Sequence, residues 1–236
     1  MTSIEVIYHG SRTIIKKPAF GEGNPKNDYG LGFYCTHEIE LAKEWACTDE
    51  YSGYANHYEL DISGLSVIRL SGADYNILNW IAILLYNRSF RISNDVAAEG
   101  KRYLLDKFLP DTQNTDVIIG YRANDSYFAF ATAFLNNALS LAQLEKAMLL
   151  GRLGDQTMLK SIRAFERIRF VRSEIADNII YYPKKCARDK EARAAFIRER
   201  ESQRVIDSVY LMDILREGWD NDDARIRRNI SGRRDE

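Results

Sequence analysis

The chain has 236 residues, with 33 Lys and Arg against 34 Asp and Glu, so its formal net charge is -1. This balance gives no bulk electrostatic attraction to nucleic acid or to anionic membranes, and it disfavours a protein dedicated to binding either one. With 45% hydrophobic and 28% charged residues, the composition is typical of a folded globular protein rather than a disordered or fibrous one.

In the first part of the chain we expect a strand, a loop, a second strand and a helix. The alternating segment SIEVIYHG predicts a strand that ends near His9. Gly, Asn, Pro and Asp cluster in residues 20–28, which predicts a loop. The short aromatic stretch 30–36 predicts a second strand, and apolar spacing in residues 38–47 predicts a helix.

The rest of the chain alternates less regularly between strands and helices. The pattern predicts strands at 56–62, 65–70, 115–123, 155–161 and 165–175, and helices at 73–86, 95–109, 128–150 and 189–204. This order differs from the regular strand–helix alternation of a doubly wound sheet. We therefore expect an α+β domain with a mixed or antiparallel sheet.

Charged residues are concentrated towards the C-terminus. Residues 184–236 hold 14 Lys and Arg and 12 Asp and Glu, so about half of this segment is charged. We expect a core-forming domain over residues 1–183 and a charged helical extension over residues 184–236. Apolar residues at helical spacing in residues 205–215 predict docking on the chain's own core, with docking on a partner helix as the alternative.

The cysteines indicate a reducing compartment. They stand at positions 35, 47 and 186, an odd number without the spacing of a disulfide framework. No C-x-x-C or H-x-x-x-H pair indicates zinc, so no metal is expected. The N-terminal segment lacks the pattern of a signal peptide, and the longest apolar run, Trp80–Tyr86, is too short to cross a bilayer. We expect a cytoplasmic protein without membrane contact.

Three glycine-containing motifs contain the residues most suited to chemistry. They are His9-Gly10-Ser11, the segment 30–36 with Trp45 downstream, and Gly154-Asp155-Gln156-Thr157. Taken singly, each motif is weak, because a histidine after a strand or a G-x-G before an aromatic residue is usually structural.

Two of these motifs suit a flat ligand. Without a Cβ, Gly10 allows a planar ligand to approach closely and to bond to its backbone N–H and C=O. If the first helix begins near residue 36, Tyr34 and Trp45 form two walls of a slot for a flat heterocycle, and each wall contributes about 0.5–1.5 kcal/mol of stacking energy.

The ordered combination resembles a known superfamily. H-G-S, followed by G-x-G-x-Y-x-T with an aromatic residue eleven positions after the tyrosine, resembles the diphtheria-toxin and poly(ADP-ribose) polymerase side of the ADP-ribosyltransferase superfamily, whose signature is a His-Tyr-Glu triad. The likeness is greatest to a bacterial family of uncharacterised proteins, often encoded beside a small partner in toxin–antitoxin-like pairs. That family also has stretches similar to residues 118–128 and 153–161. The resemblance covers roughly residues 3–180 and implies split mixed or antiparallel sheets with an NAD cleft.

The resemblance assigns roles to individual residues. It implies that His9 bonds the adenosine ribose of NAD and that the Gly10 backbone binds the nicotinamide amide. Tyr34 and Trp45 match the two aromatic residues that sandwich the nicotinamide ring. NAD is then the substrate, and no metal is implied.

Other motif positions follow the superfamily in part. Ser11 and Gly32 belong to the two NAD-binding motifs and are assigned to cofactor binding with them. The polymerases have a serine eight residues after the motif tyrosine, whereas this chain has Ala42, which implies weaker nicotinamide binding or reliance on the glycine backbone alone.

The position of the catalytic glutamate falls on Gln156, which has no charge and no usable proton-accepting pKa. By analogy with removed oxyanion-hole donors, the loss of a preorganised charge costs about 2.7–4 kcal/mol. Asp125 is the candidate for the missing anion, with Arg122 available to pair with the NAD pyrophosphate. The alternative is that Arg122 and Asp125 form only a loop salt bridge, and the sequence leaves both interpretations open.

The resulting expectation is a mono-ADP-ribosyltransferase that modifies a macromolecular acceptor, either protein or nucleic acid. The resemblance also implies a toxin with a small antitoxin partner. The alternatives are an NAD glycohydrolase, in which water is the acceptor, and a catalytically weakened module that binds NAD or ADP-ribose.

Overall fold

The computed structural model describes residues 3–92, 94–122, 125–148, 154–201 and 208–226. The strands are β1 (Ile4–Ser11), β2 (Phe33–Thr36), β3 (Gly53–Asp61), β4 (Val67–Arg69), β5 (Val117–Tyr121), β6 (Asp155–Leu159) and β7 (Ile168–Ala176). The helices are α1 (Ile39–Ala46), α2 (Ile77–Asn87), α3 (Asp95–Lys107), α4 (Asp125–Leu135), α5 (Leu141–Met148), α6 (Ile162–Glu166), α7 (Asn178–Glu201) and α8 (Leu211–Glu217).

The seven strands form one mixed sheet in the order β4-β5-β6-β2-β1-β3-β7. Strands β4 and β5 run parallel, and every other neighbouring pair is antiparallel. Helices and strands do not alternate regularly along the chain, so the α+β expectation is confirmed.

The two central strands of the sheet, β1 and β2, share the fewest paired residues. Strands β1 and β2 share a single registered pair, Tyr8 with Thr36, whereas β1 and β3 are paired from Ile4 to Ser11. The resemblance implied split sheets, but the structure has one continuous sheet whose two halves, β4-β5-β6-β2 and β1-β3-β7, meet at that one pair.

Each face of the sheet covers a hydrophobic core. The larger core lies between one face and helices α2, α3, α4, α5, α7 and α8, and the strands contribute Ile68, Ile118 and Met158 to it. Helix α2 is its centre, because every residue from Ile77 to Leu85 is buried, as the apolar sequence predicted. On the opposite face, Ile7, Tyr58 and their neighbours pack against α6.

Residues 128–150, predicted as one helix, contain a break. Helix α4 ends at Leu135 and α5 begins at Leu141. Between them Asn137 has φ of 57°, a left-handed conformation that asparagine tolerates better than most residues. Apolar residues continue through the break, so helical periodicity alone did not predict that the helix is interrupted there.

The boundary expected between residues 183 and 184 falls inside α7. Ala192 and Phe196 of this helix are buried, and the ring of Phe196 lies 4.0 Å from that of Phe130 in α4. Leu211 and Ile214 of α8 are also buried in the larger core, so the docking expected for residues 205–215 is confirmed over the described residues. The high charge density concealed these buried apolar residues, so part of the charged segment packs in the core.

No helix within the described ranges is both long enough and apolar enough to cross a membrane.

Candidate functional site

A cleft of about 190 Å³ lies beside the junction of the two sheet halves. Tyr34 on β2 and Gln156 on β6 point to the face that carries α1, and Trp45 is in the last turn of that helix. Within the described ranges, seven side chains line the cleft: Asn27, Asp28, Tyr34, Trp45, Arg88, Arg122 and Gln156.

Tyr34 is a fixed wall of this cleft. Its hydroxyl donates to Gly30 O at 2.6 Å and accepts from the backbone N–H of Tyr29 at 3.1 Å. Burial raises the pKa of the Tyr34 phenol far above its usual range, so the group stays protonated. Tyr34 therefore offers a neutral aromatic surface and is not an acid at physiological pH.

Trp45 presents its ring to a planar cation. The guanidinium carbon of Arg122 lies 3.7 Å from the ring centroid, within the range of a cation–π contact. The indole Nε1 is buried and has no hydrogen-bond partner among the described residues. Arg122 was expected to pair with the pyrophosphate of NAD, but here it stacks on the aromatic face assigned to nicotinamide.

Gln156 contacts a carboxylate that sequence reasoning missed. Its Nε2 donates to Asp28 Oδ2 at 2.9 Å and to Tyr121 O at 3.3 Å. The other oxygen of Asp28, Oδ1, accepts from Arg88 Nη1 at 2.7 Å. Asp28 is only 6% exposed, so the structure places a buried, paired anion beside the amide.

Local structure explains the position of Asp28. Residues 27–30 form a turn in which Gly30 N donates to Asn27 O at 3.0 Å, and Gly30 has φ of 86°, which glycine adopts without strain. Next to Asp28, the Tyr29 hydroxyl donates to Tyr121 O at 2.5 Å, which ties the turn to β5. The sequence signal was an acidic residue two positions before the first glycine of the G-x-G motif.

Arg88 reaches the cleft because α2 ends there. The helix stops at Asn87, and Arg88 is its C-cap, with its backbone N–H donating to Leu84 O. Asn87 also donates from Nδ2 to Asp28 O at 3.1 Å, so this helix end holds the acidic turn through both backbone and side chain.

His9 supports the site from the other side of the sheet. Its Nδ1 donates to Tyr34 O at 2.6 Å, which bridges the strands where their backbone pairing ends. The ring stacks on Phe33 at 4.4 Å, and neighbouring strand residues alternate faces, so His9 lies opposite the Tyr34 ring. Burial lowers the pKa of His9, which favours the neutral imidazole.

The glycines of the motifs serve close packing. A Cβ on Gly10 would lie 2.0 Å from Ala42 O, so the space expected for a ligand is filled by α1. A Cβ on Gly32 would lie 2.3 Å from Met158 Sδ, so this glycine lets β2 approach β6. Ser11 Oγ donates to Thr13 O at 2.6 Å.

Four predicted residues, Tyr34, Trp45, Arg122 and Gln156, therefore come together in the cleft. His9, Gly10, Ser11 and Gly32 are not among its lining residues and act on the elements around it. Asp125 begins α4, and its side chain lies outside the described part of the chain. No group of three or more metal-ligating side chains occurs among the described residues.

Comparison with known proteins gives one result. No curated protein and no solved structure matches the chain. The sequence model of one family does match, over residues 5–170, a range that includes all seven lining residues and ends before α7. Because this match covers well over half of the chain, the protein belongs to the family described as "Protein of unknown function (DUF3990)".

Proposed function

We propose that the protein is an NAD-dependent mono-ADP-ribosyltransferase that cleaves the bond between nicotinamide and ribose. The observation that carries this proposal is the convergence of Tyr34, Trp45 and Gln156 on one cleft, although they come from β2, α1 and β6. These are the positions that the superfamily resemblance assigns to the two aromatic walls and to the residue beside the reacting ribose.

The aromatic walls suit the oxidised nicotinamide ring, which is flat and positively charged. The face of Trp45 already stacks with the planar guanidinium of Arg122, so its environment favours a flat cation. At about 190 Å³ the cleft is smaller than a typical pocket for a whole organic ligand, which is about 300–1,000 Å³. It matches the nicotinamide end of NAD, with the adenosine end extending beyond it.

Gln156 acts on the ribose by accepting a hydrogen bond. Its amide oxygen is positioned to accept from a ribose hydroxyl as the C1′–N bond breaks. The bonding electron pair leaves with nicotinamide as a neutral molecule, and the positive charge is shared by C1′ and the ring oxygen until an acceptor attacks. An amide does not take the acceptor's proton at neutral pH, so that proton is lost to water. A single transfer to an acceptor that is nucleophilic without a protein base is therefore favoured over chain elongation, which uses ribose hydroxyls.

The amide at the acid position also favours a second candidate function. A site that holds NAD or an ADP-ribosyl group without an ionised acid at the ribose would bind it without turnover.

If the protein is a transferase, the acceptor of the ADP-ribosyl group is a protein or nucleic acid. A cytoplasmic toxin with a small neutralising partner is part of the same proposal and rests on the resemblance alone.

Incubation of the protein with labelled NAD and a cell lysate tests these functions. Label on protein or RNA supports transfer, free ADP-ribose alone supports glycohydrolase activity, and bound but intact NAD supports the binding module. Trp45→Ala should abolish the signal, and Tyr51→Ala is the matched control because Tyr51 contacts Arg12 outside the cleft. If NAD neither binds nor reacts, or if Trp45→Ala has no effect, the proposal is wrong.

A further inference from the structure

The side chain of Gln156 has a fixed orientation in the cleft. Its nitrogen faces two acceptors, the carboxylate of Asp28 and the carbonyl oxygen of Tyr121. Turning the amide over would place its oxygen against both of these acceptors, which is repulsive. The nitrogen is therefore held towards Asp28, and Oε1 is the amide atom left for a ligand.

Asp28 is held as tightly as the amide. Arg88 binds one of its oxygens and Gln156 the other, and the residue is buried in the turn between Asn27 and Gly30. A carboxylate that accepts an amide N–H polarises that amide and increases the negative charge on its oxygen.

We propose that Asp28 is a positioning residue that acts through Gln156. It fixes the amide and supplies, by polarisation, part of the negative charge that an ionised acid would otherwise place beside the ribose. This inference rests on the proposed function, because the charge is useful only where positive charge develops at C1′. Glutamine at position 156 is then needed because its amide can donate to Asp28, and it is not a loss of function at the position of the superfamily's glutamate.

The proposal predicts an unusual result for the substitution that restores an acid. In Gln156→Glu the new carboxyl group meets Asp28 at hydrogen-bond distance, and two carboxylates this close share one proton. At low pH the protonated Glu donates to Asp28 and mimics the amide. As pH rises the shared proton is lost and the two anions repel each other, so activity falls.

The surrounding groups do not reverse this expectation. Arg88 Nη1 donates to the far oxygen of Asp28, Oδ1, and Arg122 stacks on Trp45. Burial holds the phenols of Tyr29 and Tyr34 neutral by raising their pKa. Asp155 points to the opposite face of β6, where its carboxylate accepts from Ser71 Oγ at 2.8 Å.

The experiment compares the full-length wild type with Gln156→Glu, Asp28→Asn and the double variant, measuring kcat/KM for NAD consumption from pH 5 to 8. The ratio of kcat/KM of Gln156→Glu to that of the wild type should fall at least about tenfold between pH 5 and pH 8, since a like-charge pair raises a carboxyl pKa by about one unit or more and the shared proton is lost over this range. Asp28→Asn should lower kcat at every pH. The double variant restores one acid and one amide and should recover most of the activity at pH 8.

Thermal unfolding of the same four proteins checks the contact without NAD. The melting temperature of Gln156→Glu should drop more at pH 8 than at pH 5, and the double variant should recover it. Gln143→Glu is the control for added charge, because its side-chain oxygen caps α5 by accepting from the Ser140 backbone.

Each outcome decides between the two proposals. If the wild type consumes no NAD, the proposed function fails, and the role of Asp28 in turnover fails with it. If the wild type is active and Gln156→Glu is equally or more active at pH 8, with activity rising with pH, the role of Asp28 alone is overturned.

Discussion

Removing the guanidinium of Arg122 should tighten the binding of free nicotinamide. In the structure this group covers the face of Trp45 at 3.7 Å, so a nicotinamide ring must displace it before stacking there. A cation–π contact contributes about 0.5–2 kcal/mol, which corresponds to about two- to thirtyfold in affinity. Arg122→Ala should therefore lower the Kd for nicotinamide by a factor in this range, measured by isothermal titration calorimetry.

A second ligand separates the two roles of Arg122. If the displaced guanidinium pairs with the pyrophosphate, Arg122→Ala should weaken NAD binding while it tightens nicotinamide binding. Arg12→Ala is the control, because Arg12 lies 3.9 Å from the ring centroid of Tyr51, away from the cleft. Unchanged or weaker nicotinamide binding by Arg122→Ala would refute the reasoning.

Three further predictions concern stability. Gly10→Ala should lower the free energy of unfolding by about 1–3 kcal/mol in urea denaturation, because its Cβ meets the α1 backbone; a neutral effect would contradict the packing role. Phe196→Ala should lower the free energy of unfolding by about 3–5 kcal/mol, because the ring packs on Phe130 in the core. Wild-type stability in this variant would mean that α7 is not part of that core. Burial lowers the pKa of His9 below its unfolded value of 6.5, so the unfolded chain binds the proton more tightly. The stability contributed by neutral His9 is therefore present above pH 6.5 and is lost as pH falls below it, and unfolding of the wild type and His9→Gln at pH 5 and 7.5 should show a smaller pH effect in the variant.

The sequence was most informative where the site is local. Tyr34 and Trp45 lie eleven residues apart on a strand and the helix that follows it, so strand and helix periodicity were sufficient to place both near one slot. Gln156 was found through its motif. In each case the side-chain direction follows from the element itself, because strands alternate faces and helices repeat every 3.6 residues.

The parts that sequence reasoning missed depend on contacts between distant segments. Asp28 and Arg88 are separated by 60 positions, and their ion pair exists only because α2 ends beside the turn at residue 28. Composition also could not show that Ala192 and Phe196, which lie beyond residue 183 among many charges, are buried. The filled space at Gly10 could not be predicted, since a glycine admits either a ligand or a packed helix.

Because β1 and β2 share a single registered pair, Tyr8 with Thr36, a ligand in the cleft would help to hold the two halves of the sheet together. Trp45 is carried by α1 on the β1-β3-β7 half, whereas Tyr34 and Gln156 belong to the other half. A molecule held by all three cross-links two halves that share little backbone pairing of their own. The melting temperature measured by calorimetry should then rise when the cleft is filled.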